Sequence, residues 1–417
     1  MEPVIFHIDV NSAFLSWEAV YRIKFLGDRT DLRTIPSAIG GDVKKRHGII
    51  LAKSLPAKKY NIQTGESVSE ACKKCPGLAL VPPRYDLYEK CSKAFMDILR
   101  EYSPCVEQYS IDEAYCDMTG TEYLYDSPAA VAHVMKDRIY EELGFTVNIG
   151  ISSNKLLAKM ASDLKKPNMV HTLYPWEIKE KMWRLPVSDL FYVGRATTKK
   201  LHTLGIHTIG ELAVTDVCIL RAHFKKYGEL IHDFANGLDT SFVIEERPQN
   251  KGYGNSTTIA FDVDNEYAAK MVLLALAETV CTRLRKDRVQ ALVIAIHLVD
   301  FEFRHASHQM TLFTATNITN EVYKAACRLF DELWDGIPVR HLGIHTGRII
   351  QDCGVRQLNL FDYYQSYDKL ASLDKAIDHI RSRYGPDAMK RAAFIQSPIY
   401  HMSGGISPDK RKPAGMD

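Results

Sequence analysis

Two adjacent carboxylates inside a strand-forming segment constrain this 417-residue chain more than any other feature. Asp112 and Glu113 lie between Tyr109 and Tyr115, in a run rich in aromatic and branched residues, where acidic side chains are disfavoured. The segment from Glu101 to Asp126 contains seven acidic residues and no lysine or arginine, so no neighbour in the sequence neutralises the pair. A bound dication is the natural compensation.

A third carboxylate, Asp9, follows another apolar run, Val4 to Ile8. If the two runs pair as strands, Asp9, Asp112 and Glu113 form a cluster suited to two Mg²⁺ ions and the phosphates of a substrate. Consecutive strand residues point to opposite faces, so Asp112 and Glu113 serve one site only if the chain bends there, as at a hairpin tip. Taken singly, each acid is explained at least as well by a turn or a cap.

Charge is nearly balanced over the whole chain but unevenly distributed. The 53 basic and 51 acidic residues give a net charge of +2. Segment 42–75 has eight basic residues against three acidic ones, and segment 153–200 has ten against four. Basic segments on either side of an acidic one suit a polyanion held around a metal site. Composition alone favours the simpler interpretation of two solvated basic faces.

The cysteines and the apolar runs indicate a cytoplasmic protein with reduced thiols. Cys72 and Cys75 form a single C-x-x-C without a second pair, which favours an incidental spacing over a zinc or redox site. The N-terminal apolar run is short and contains His7 and Asp9, unlike a secretory signal. No run approaches the roughly 20 apolar residues of a membrane span, so no membrane partner is expected.

Hydrophobic periodicity predicts two βαββαβ units with a helical segment between them. For the first unit we predict strands at 4–10 and 145–152 and at the carboxylate hairpin, with helices at 11–24, 85–102, 128–143 and 152–164. For the second we predict strands at 253–262, 290–299, 302–316 and 339–350, with helices at 266–285 and 321–334. A further helix is expected at 367–384, and a disordered tail after Met402.

Two stretches carry a resemblance to a known family. Phe6-His7-Ile8-Asp9-Val10-Asn11-Ser12-Ala13-Phe14 and Tyr109-Ser110-Ile111-Asp112-Glu113-Ala114 resemble the first and second carboxylate motifs of the Y-family translesion DNA polymerases, in the DNA polymerase IV and UmuC-like branch. The resemblance implies an α+β, multidomain right-hand polymerase. Its expected parts are a ferredoxin-like palm (1–20 and 80–170), small fingers (21–79), a helical thumb with a helix-hairpin-helix (171–240), a linker (241–250), a βαββαβ little finger (251–352), and a C-terminal clamp-binding peptide, helix and tail (353–417).

The resemblance also implies an activity and its metal ligands. The chain is expected to add deoxynucleotides to a primer on a DNA template, bypassing damaged bases at low fidelity. Asp9 and Asp112 would bridge two Mg²⁺ ions, with the Val10 carbonyl on the nucleotide-side ion and Glu113 on the primer-side ion.

Four further positions match residues that contact the nucleotide in this family. Phe14 is the expected gate that excludes ribonucleotides, and Lys166, in a Lys-Pro pair, is expected to reach the triphosphate. Lys58 stands where the family has an arginine and Leu55 where it has a tyrosine. Lys58 supplies charge without a bidentate fork, and Leu55 supplies no hydrogen bond, so we expect weaker nucleotide contacts there.

The thumb and the C-terminal part carry the expected DNA and clamp contacts. Segment 191–212 resembles a helix-hairpin-helix, in which Gly194 and Lys199 would contact DNA phosphates and Tyr192 replaces a glycine, predicting a less regular turn. In the little finger, Lys251, Arg304 and Arg340 are candidate phosphate contacts. A short peptide matches the motif that binds the sliding clamp, with its anchors at Gln357, Leu358, Leu360 and Phe361.

Two other functions stay open at the level of sequence. A palm with paired metal carboxylates also serves nucleotide cyclases, although these would have no use for a helix-hairpin-helix or a clamp peptide. Alternatively, the chain is a non-catalytic, clamp-tethered DNA-binding protein, for which Leu55 and Tyr192 are the only indications. The expected partners of the polymerase are primer-template DNA, deoxynucleoside triphosphates and a sliding clamp, and we expect a monomer.

Overall fold

The computed structural model describes residues 2–41, 48–246, 249–353, 364–395 and 397–402. Within these ranges the chain divides into two compact units, the first ending at residue 246 and the second beginning at residue 249. The division falls inside the segment 241–250 that the sequence predicts as a linker.

The first unit contains two sheets, the helices that pack on them and a separate helical part. Its strands are β1 (Ile5–Val10), β2 (Ser37–Gly40), β3 (Ile50–Lys53), β4 (Ala79–Val81), β5 (Cys105–Gln108), β6 (Glu113–Asp117), β7 (Val147–Ser152) and β8 (Val170–Thr172). Its helices are α1 (Ala13–Tyr21), α2 (Leu55–Lys58), α3 (Val68–Lys74), α4 (Tyr85–Tyr102), α5 (Pro128–Leu143), α6 (Lys155–Asp163), α7 (Arg195–Thr203), α8 (Ile209–Val214), α9 (Val217–Phe224) and α10 (Lys226–Ala235).

The five-stranded sheet has the order β5-β6-β1-β7-β8, with β1 antiparallel to both of its neighbours. Because β1 is central and covered on both sides, all six of its residues are buried. Phe6, Ile8 and Val10 pack into one core with α4 and α5. The alternate residues, His7 and Asp9, point to the face that carries α6.

Helix α6 lies unusually close to the sheet because residue 150 is a glycine. A Cβ at Gly150 would lie 2.0 Å from the carbonyl oxygen of Ala158 and 2.4 Å from the amide nitrogen of Ser162. On its other side, α6 packs through Leu157 and Met160 against α7 to α10, which share one core. This single helix therefore connects the sheet to the helical part of the first unit.

Two of the predicted helices in this unit agree with the structure at both ends, and two others begin later than predicted for local reasons. Helices α4 and α5 begin and end at the predicted residues, and Gly144 ends α5 with a φ of +80°. The helix predicted from residue 11 begins at Ala13, because Ser12 has a left-handed backbone and makes no capping bond. The helix predicted from residue 152 begins at Lys155, because the Asn154 side chain accepts from the Leu157 amide and caps it there.

A small three-stranded sheet, ordered β3-β2-β4, forms with α2 and α3 the part of the unit between residues 37 and 81. Strand β2 is antiparallel to β3 and parallel to β4. A core that includes Ile50, Ala57 and Val68 joins the sheet to the two helices. This part forms one wall of the cleft described below.

The second unit is a four-stranded antiparallel sheet with two long helices on one face. Its elements are β9 (Gly252–Val263), α11 (Glu266–Lys286), β10 (Val289–Asp300), β11 (His305–Thr316), α12 (Thr319–Leu333), β12 (Val339–Gln351) and α13 (Tyr364–Tyr384). The predicted βαββαβ order is confirmed, and each predicted boundary lies within three residues of the observed one. The strand order is β11-β10-β12-β9, so the first strand lies at an edge, whereas β1 is central in the first unit.

Helix α13 and the segment after it dock on α11 through buried ion pairs. Arg285 contacts Asp374 at 3.1 Å and Asp378 at 2.6 Å. Glu278, whose side chain is 3% exposed, contacts Arg381 at 2.5 Å and also pairs with Arg391. Helix α13 and the described residues after it are therefore an integral part of the second unit. The helices in the described ranges include none with the length and apolarity needed to cross a membrane.

Candidate active site

The two adjacent carboxylates lie at the tip of a hairpin, as the sequence requires for a shared site. Asp112 is the last residue of the turn between β5 and β6, and Glu113 is the first residue of β6. The Tyr109 and Ser110 amides donate to the Glu113 carbonyl at 3.0 and 3.1 Å and close the turn. Asp9 pairs directly with Glu113 across the sheet, and the Val10 amide donates to the Asp112 carbonyl at 3.0 Å. The bend and the strand pairing are both present.

One cleft, with a volume of about 610 Å³, contains all seven residues that the sequence predicts to bind metal or nucleotide. They are Asp9, Val10, Phe14, Lys58, Asp112, Glu113 and Lys166. Leu55 lines the same cleft. These residues come from four separate parts of the chain. The parts are the paired strands β1 and β6, the start of α1, the first turns after β3 and the segment after α6.

The carboxylates at the cleft are short of compensating charge. Asp9 is buried, and burial raises its pKa even though the Lys166 ammonium group bonds to its Oδ2. Burial also raises the pKa of Asp112, although the Ser110 hydroxyl donates to its Oδ1 at 2.7 Å. Ionised carboxylates are therefore less favourable here than in water, and the site attracts cations.

Lys166 already bonds to one of the acids. Its ammonium group contacts Asp163 at 2.8 Å as well as Asp9. Burial lowers the pKa of Lys166, but the two carboxylates outweigh burial and raise it above the ordinary value. Lys166 is therefore charged and positioned at the carboxylate cluster before any substrate binds.

Lys159 is a site residue that the sequence reasoning missed. Its ammonium group contacts Glu113 at 2.6 Å and Asp163 at 3.5 Å. Burial lowers the pKa of Lys159, but Asp163 and Glu113 raise it above the ordinary value. A lone lysine between apolar neighbours in the middle of α6, Leu156 to Ala161, is the signal that could have revealed it, because a buried lysine requires an acidic partner.

The donor set suits a hard dication, although lysines now engage two of the acids. In the ranges that the structure describes, no three His, Cys, Asp or Glu side chains converge as a metal site. Lys166 bonds to Asp9, and Lys159 bonds to Glu113. Carboxylate and carbonyl oxygens are the ligands that Mg²⁺ prefers, and the raised pKa values of Asp9 and Asp112 show that more positive charge would stabilise the cluster.

Phe14 lines the cleft with its ring held in place by other aromatic side chains. The ring stacks on Tyr88 with a centroid distance of 4.7 Å and an interplanar angle of 11°. Tyr85 meets it edge-on at 6.3 Å, and Trp17 lies at 5.9 Å. Because rotation of the Phe14 ring would disrupt this packing, the residue presents a fixed apolar surface to the cleft.

The opposite wall contributes positive charge from the start of α2. Ser54 caps this helix by accepting from the Ala57 amide at 3.1 Å, and Lys58 follows one turn later. Leu55 is 55% exposed and presents an apolar side chain that, as expected from the sequence, offers no hydrogen bond. Lys53 also lines the cleft and was missed in the sequence; burial and the nearby Lys58 lower its pKa. Two ammonium groups therefore belong to this wall.

Gly194 and Lys199 lie on the helical part of the unit and are not among the residues that line the cleft. Gly194 is the N-cap of α7, and Lys199 is exposed on the same helix. Tyr192, which stands where a glycine is expected, adopts a left-handed φ of +74°. Its ring packs edge-on against Phe191 and Phe234, with centroid distances of 4.7 and 5.8 Å. These contacts stabilise a backbone conformation that is strained for tyrosine.

Other predicted contacts in the second unit have different outcomes. Arg304 pairs with Asp300 at 2.7 Å, and Arg340 pairs with Asp262 at 3.1 Å, so both expected phosphate contacts are already engaged with acids. Lys251 is exposed. The clamp-binding residues lie outside the described residues: Gln357, Leu358, Leu360 and Phe361.

Three family models match the chain in succession. Residues 8–163 match the impB/mucB/samB family, residues 175–206 match the IMS family HHH motif, and residues 250–360 match the impB/mucB/samB family C-terminal domain. The HHH match covers α7 and confirms the helix-hairpin-helix predicted in the thumb.

Curated relatives match the chain over nearly its whole length. A DNA polymerase IV of Clostridium acetobutylicum is 44% identical over 396 residues, which is 95% of this chain and 99% of the relative. A DNA polymerase IV of Acetivibrio thermocellus is 36% identical over 95% of this chain and 98% of its own length. DNA polymerase IV 1 of Bacillus subtilis is 35% identical over 94% of this chain and 93% of its own length.

A solved structure has the same fold. It is a Y-family DNA polymerase chimera, Dbh-Dpo4(243-245)-Dbh, with a TM-score of 0.71 and 20% identity, and the match covers 84% of this chain and 99% of that one. The α+β right-hand fold expected from the two carboxylate motifs is therefore confirmed. Together with the family models and the curated relatives, it shows that the chain belongs to the impB/mucB/samB family of Y-family DNA polymerases.

Proposed function

We propose that this protein is a template-directed DNA polymerase that extends a primer 3′ end and performs low-fidelity translesion synthesis. Family membership over 95% of the chain supports the polymerase activity. The geometric observation that carries the proposal is the single cleft that joins Asp9, Asp112 and Glu113 to Lys58 and Lys166. Acids that suit metal ions beside lysines that suit phosphates are what phosphoryl transfer from a nucleoside triphosphate requires.

Membership of this family implies dependence on a divalent metal, and we propose two Mg²⁺ ions as the cofactors. Asp9 and Asp112 would contact both ions, with the Val10 carbonyl and Glu113 each completing one of them. When bound, the ions lower the pKa of the primer hydroxyl and neutralise charge on the triphosphate and the leaving pyrophosphate. The residues fit this role because their oxygens are hard ligands and because burial disfavours their unpaired charge.

The lysines of the cleft are proposed to bind the triphosphate. Lys166 is charged and forms an ion pair with Asp9, so its ammonium group can bind a phosphate oxygen in place of this carboxylate. Lys58 and Lys53 supply charge from the opposite wall, where Leu55 contributes only apolar contact. Lys159 holds Glu113 at 2.6 Å and fixes the side chain at the hairpin tip.

The remaining predictions concern DNA, the clamp and ribonucleotides. Phe14 is proposed to exclude the 2′-hydroxyl of a ribonucleotide by steric contact. Gly194 and Lys199 are proposed to contact DNA phosphates, so the affinity for primer-template should fall steeply with salt. Segment 357–361 is proposed to bind a sliding clamp, and we expect the polymerase to act as a monomer. A cytoplasmic location, as expected from the sequence, is part of the same proposal.

Primer extension by wild type and by Asp112→Asn tests the proposal. The variant should extend a primer at least about 100-fold more slowly. Loss of a residue that contacts the metal directly should cost at least as much activity as loss of a residue that only orients such a ligand. The matched control is Asp97→Asn on α4, which removes an exposed carboxylate and should leave the rate unchanged.

The outcomes also separate the rival functions. Equal extension by wild type and Asp112→Asn would contradict the assigned site. Extension by neither protein, together with tight DNA binding, would support a non-catalytic DNA-binding protein. Conversion of a nucleoside triphosphate in the absence of any primer would support a nucleotide cyclase.

A further inference from the structure

The segment that carries Lys166 is a short connection without regular secondary structure. It runs from the end of α6 at Asp163 to the start of β8 at Val170, and we call its residues 164–169 the lysine loop. Residues 165–168 of this loop are exposed. An exposed connection moves readily unless its backbone groups are hydrogen-bonded to a rigid element. The position of the lysine ammonium group therefore depends on what holds the loop.

Asn148 is a buried residue directly beside Asp9 in the five-stranded sheet. The β1-β7 register pairs it with Asp9, on the side opposite Glu113, so the three residues form one row across β6, β1 and β7. Asn148 is 0% exposed. Burial of an amide costs free energy unless its N–H and C=O groups are hydrogen-bonded. The partners of this amide therefore show which part of the site it stabilises.

The Asn148 amide makes four hydrogen bonds, and two of them go to the lysine loop. Its Nδ2 donates to the carbonyl of Lys165 at 2.7 Å and to the carbonyl of Ser162, in the last turn of α6, at 2.9 Å. Its Oδ1 accepts from the Met169 amide at 3.3 Å and from Nδ2 of Asn11 at 3.1 Å. A side-chain amide has two donors and two acceptor lone pairs, so every position is used.

Asn11 holds the same loop from the end of β1. Its Oδ1 accepts from the Asn168 amide at 2.9 Å and from the Thr146 hydroxyl at 3.0 Å. Its own backbone amide donates to the Thr146 carbonyl at 3.0 Å, so the side chain extends from a fixed point of the sheet. The loop is thus bonded on both sides of its catalytic-site lysine, through one carbonyl before it and two amides after it.

The surroundings determine which way each amide points. Both neighbours of Asn148 Nδ2 are carbonyl oxygens, which only accept, and the loop neighbour of Asn11 Oδ1 is an N–H group, which only donates. Exchange of oxygen and nitrogen in either amide would place like groups against each other. An aspartate at position 148 would offer no donor to the two carbonyls and would add a carboxylate beside Asp9. Asparagine therefore holds the loop without changing the charge of the cluster.

We propose that Asn148 and Asn11 are positioning residues for nucleotide binding, which hold the lysine loop against the end of β1 and so place the Lys166 ammonium group where the triphosphate binds. The inference rests on the proposed function, which assigns the triphosphate to this lysine. Asp9 also contacts the ammonium group, but a phosphate oxygen has to replace that contact. The amides bond to the loop backbone instead, so their contacts persist during the replacement and keep the lysine in place.

Other contacts of the loop are weaker or lie farther from its lysine. Asp163 contacts the lysine ammonium group at 2.8 Å, but this carboxylate is exposed, so water competes with the pair. Nε2 of His171 lies 3.3 Å from the Lys165 carbonyl, a longer contact than the one from the amide. The carbonyl of Met169 accepts from the Ile149 amide at 2.9 Å, which holds the far end of the loop at the β7-β8 pairing. The two asparagines therefore provide the closest bonds on either side of the lysine.

The test is the kinetics of single-nucleotide insertion by the full-length protein with saturating primer-template. Asn148→Ala and Asn11→Ala should each raise the KM for the incoming deoxynucleotide roughly tenfold, the lower end of the effect of residues that orient a functional group. The kcat should change by less than about threefold, because the lost contact binds the ground state and the transition state alike. The matched control is Asn154→Ala, which removes the cap at the opposite end of α6 and should leave KM within about twofold of wild type.

Repetition of these measurements in Lys166→Ala separates positioning of the lysine from every other role. Without the ammonium group, Asn148→Ala and Asn11→Ala should each add less than about twofold to KM. Equal increases with and without the lysine would overturn the proposal, because they would come from direct nucleotide contact or from a general loss of structure. Thermal melts establish that each variant is folded. Asn11 is only partly buried, so its variant supplies the same comparison if Asn148→Ala does not fold.

Failure of this inference and failure of the polymerase assignment give different results. Binding of inorganic triphosphate, measured by isothermal titration calorimetry with EDTA present, reports on the lysine without any need for catalysis. Normal primer extension by wild type, with KM and triphosphate affinity unchanged in both asparagine variants, rejects only the positioning role. Absence of extension by wild type, with triphosphate binding that weakens in both asparagine variants only when Lys166 is present, rejects only the polymerase assignment.

Discussion

At the scale of single residues, the proposed catalytic cleft is organised by three acids, two of which have lysine partners. Asp9 and Glu113 face each other across two strands, and each contacts an ammonium group, from Lys166 and Lys159 respectively. Asp112 differs from these two acids, because its side chain accepts a hydrogen bond from the uncharged hydroxyl of Ser110. Asp112 is therefore the acid of the cluster whose charge depends most on an added cation.

This difference predicts that Asp112→Asn stabilises the metal-free protein while it abolishes catalysis. Burial raises the pKa of Asp112 in the folded state, so ionisation of this carboxyl opposes folding. Replacement of the carboxyl by an amide should raise the free energy of unfolding by about 0.5–2 kcal/mol. This increase should be complete at pH values above the raised pKa of Asp112 and should vanish below the ordinary pKa of 3.8. Thermal melts across pH measure it, with Asp97→Asn as the exposed control.

The same melts test the metal site without measuring activity. Mg²⁺ at 100 times its dissociation constant should stabilise wild type by about 2.7 kcal/mol, and the gain should be much smaller in Asp112→Asn. An equal response to Mg²⁺ in both proteins would place the ion elsewhere.

Phe14 leads to a prediction about sugar selection. Phe14→Ala should incorporate ribonucleotides at least about tenfold more efficiently relative to deoxynucleotides, because the ring that fills the space beside the sugar is removed. Single-nucleotide insertion kinetics with both sugars measure the ratio. The control is Phe25→Ala, which removes a 72% exposed ring just beyond α1 and should leave the ratio at its wild-type value. Unaltered selectivity in Phe14→Ala would reject the gate.

The sequence predicted the identity of the site residues better than it predicted the side chains that they contact in the absence of substrate. Asp9, Asp112 and Glu113 could be found because acids inside strand-forming runs are unusual. The apolar neighbours of Lys159 indicate a buried lysine with an acidic partner but do not identify that acid, and the sequence around Lys53 gives no comparable signal. Such partners depend on tertiary packing, which residue spacing does not encode.

At the scale of elements, the close contact of α6 with β7 positions the lysines of the cleft. Gly150→Ala should destabilise the first unit by about 3 kcal/mol or more, since its Cβ would overlap backbone atoms of Ala158 and Ser162 that cannot move independently. Chemical denaturation measures the loss. Gly77→Ala is the matched control, because a Cβ there meets nothing within 4 Å and should be close to neutral. Equal stability of the two variants would contradict the packing.

Elements with strong periodicity were predicted almost to the residue, whereas their connections were not. Helices α4 and α5 agree with the prediction at both ends, because a proline or glycine marks their boundaries in the sequence. The left-handed backbone at Tyr192 was not predicted from the sequence. Aromatic packing between helices stabilises that conformation, and such packing is invisible in local sequence.

At the scale of the whole molecule, the described chain is two units with separate cores, and the second extends beyond the match to the family model. That match ends at residue 360, whereas α13 and the described residues after it dock on α11 through Glu278, Arg381 and Arg391. The periodicity of 367–384 predicted the helix but not its docking, because the buried acid and its two arginines are about 100 residues apart.

Glu278→Ala should therefore destabilise the second unit by about 3–5 kcal/mol, because it leaves two guanidinium groups without their shared carboxylate. Differential scanning calorimetry should show one transition moving to lower temperature. Glu266→Ala on the same helix removes a 59% exposed carboxylate and should cost less than about 1 kcal/mol. Similar losses in both variants would mean that the C-terminal segment is not held by this network.

Lys166 and Lys159 contact two of the proposed catalytic acids, and these contacts affect how the protein binds magnesium when no substrate is present. Two of the three acids, Asp9 and Glu113, already have ammonium partners within the protein, so part of the cluster's charge is balanced before any cation binds. A nucleotide that arrived with Mg²⁺ would supply phosphate oxygens for Lys166 and a cation that Asp9 and Asp112 could hold. Occupancy of the cleft should accordingly depend on the nucleotide supply as well as on the free magnesium concentration.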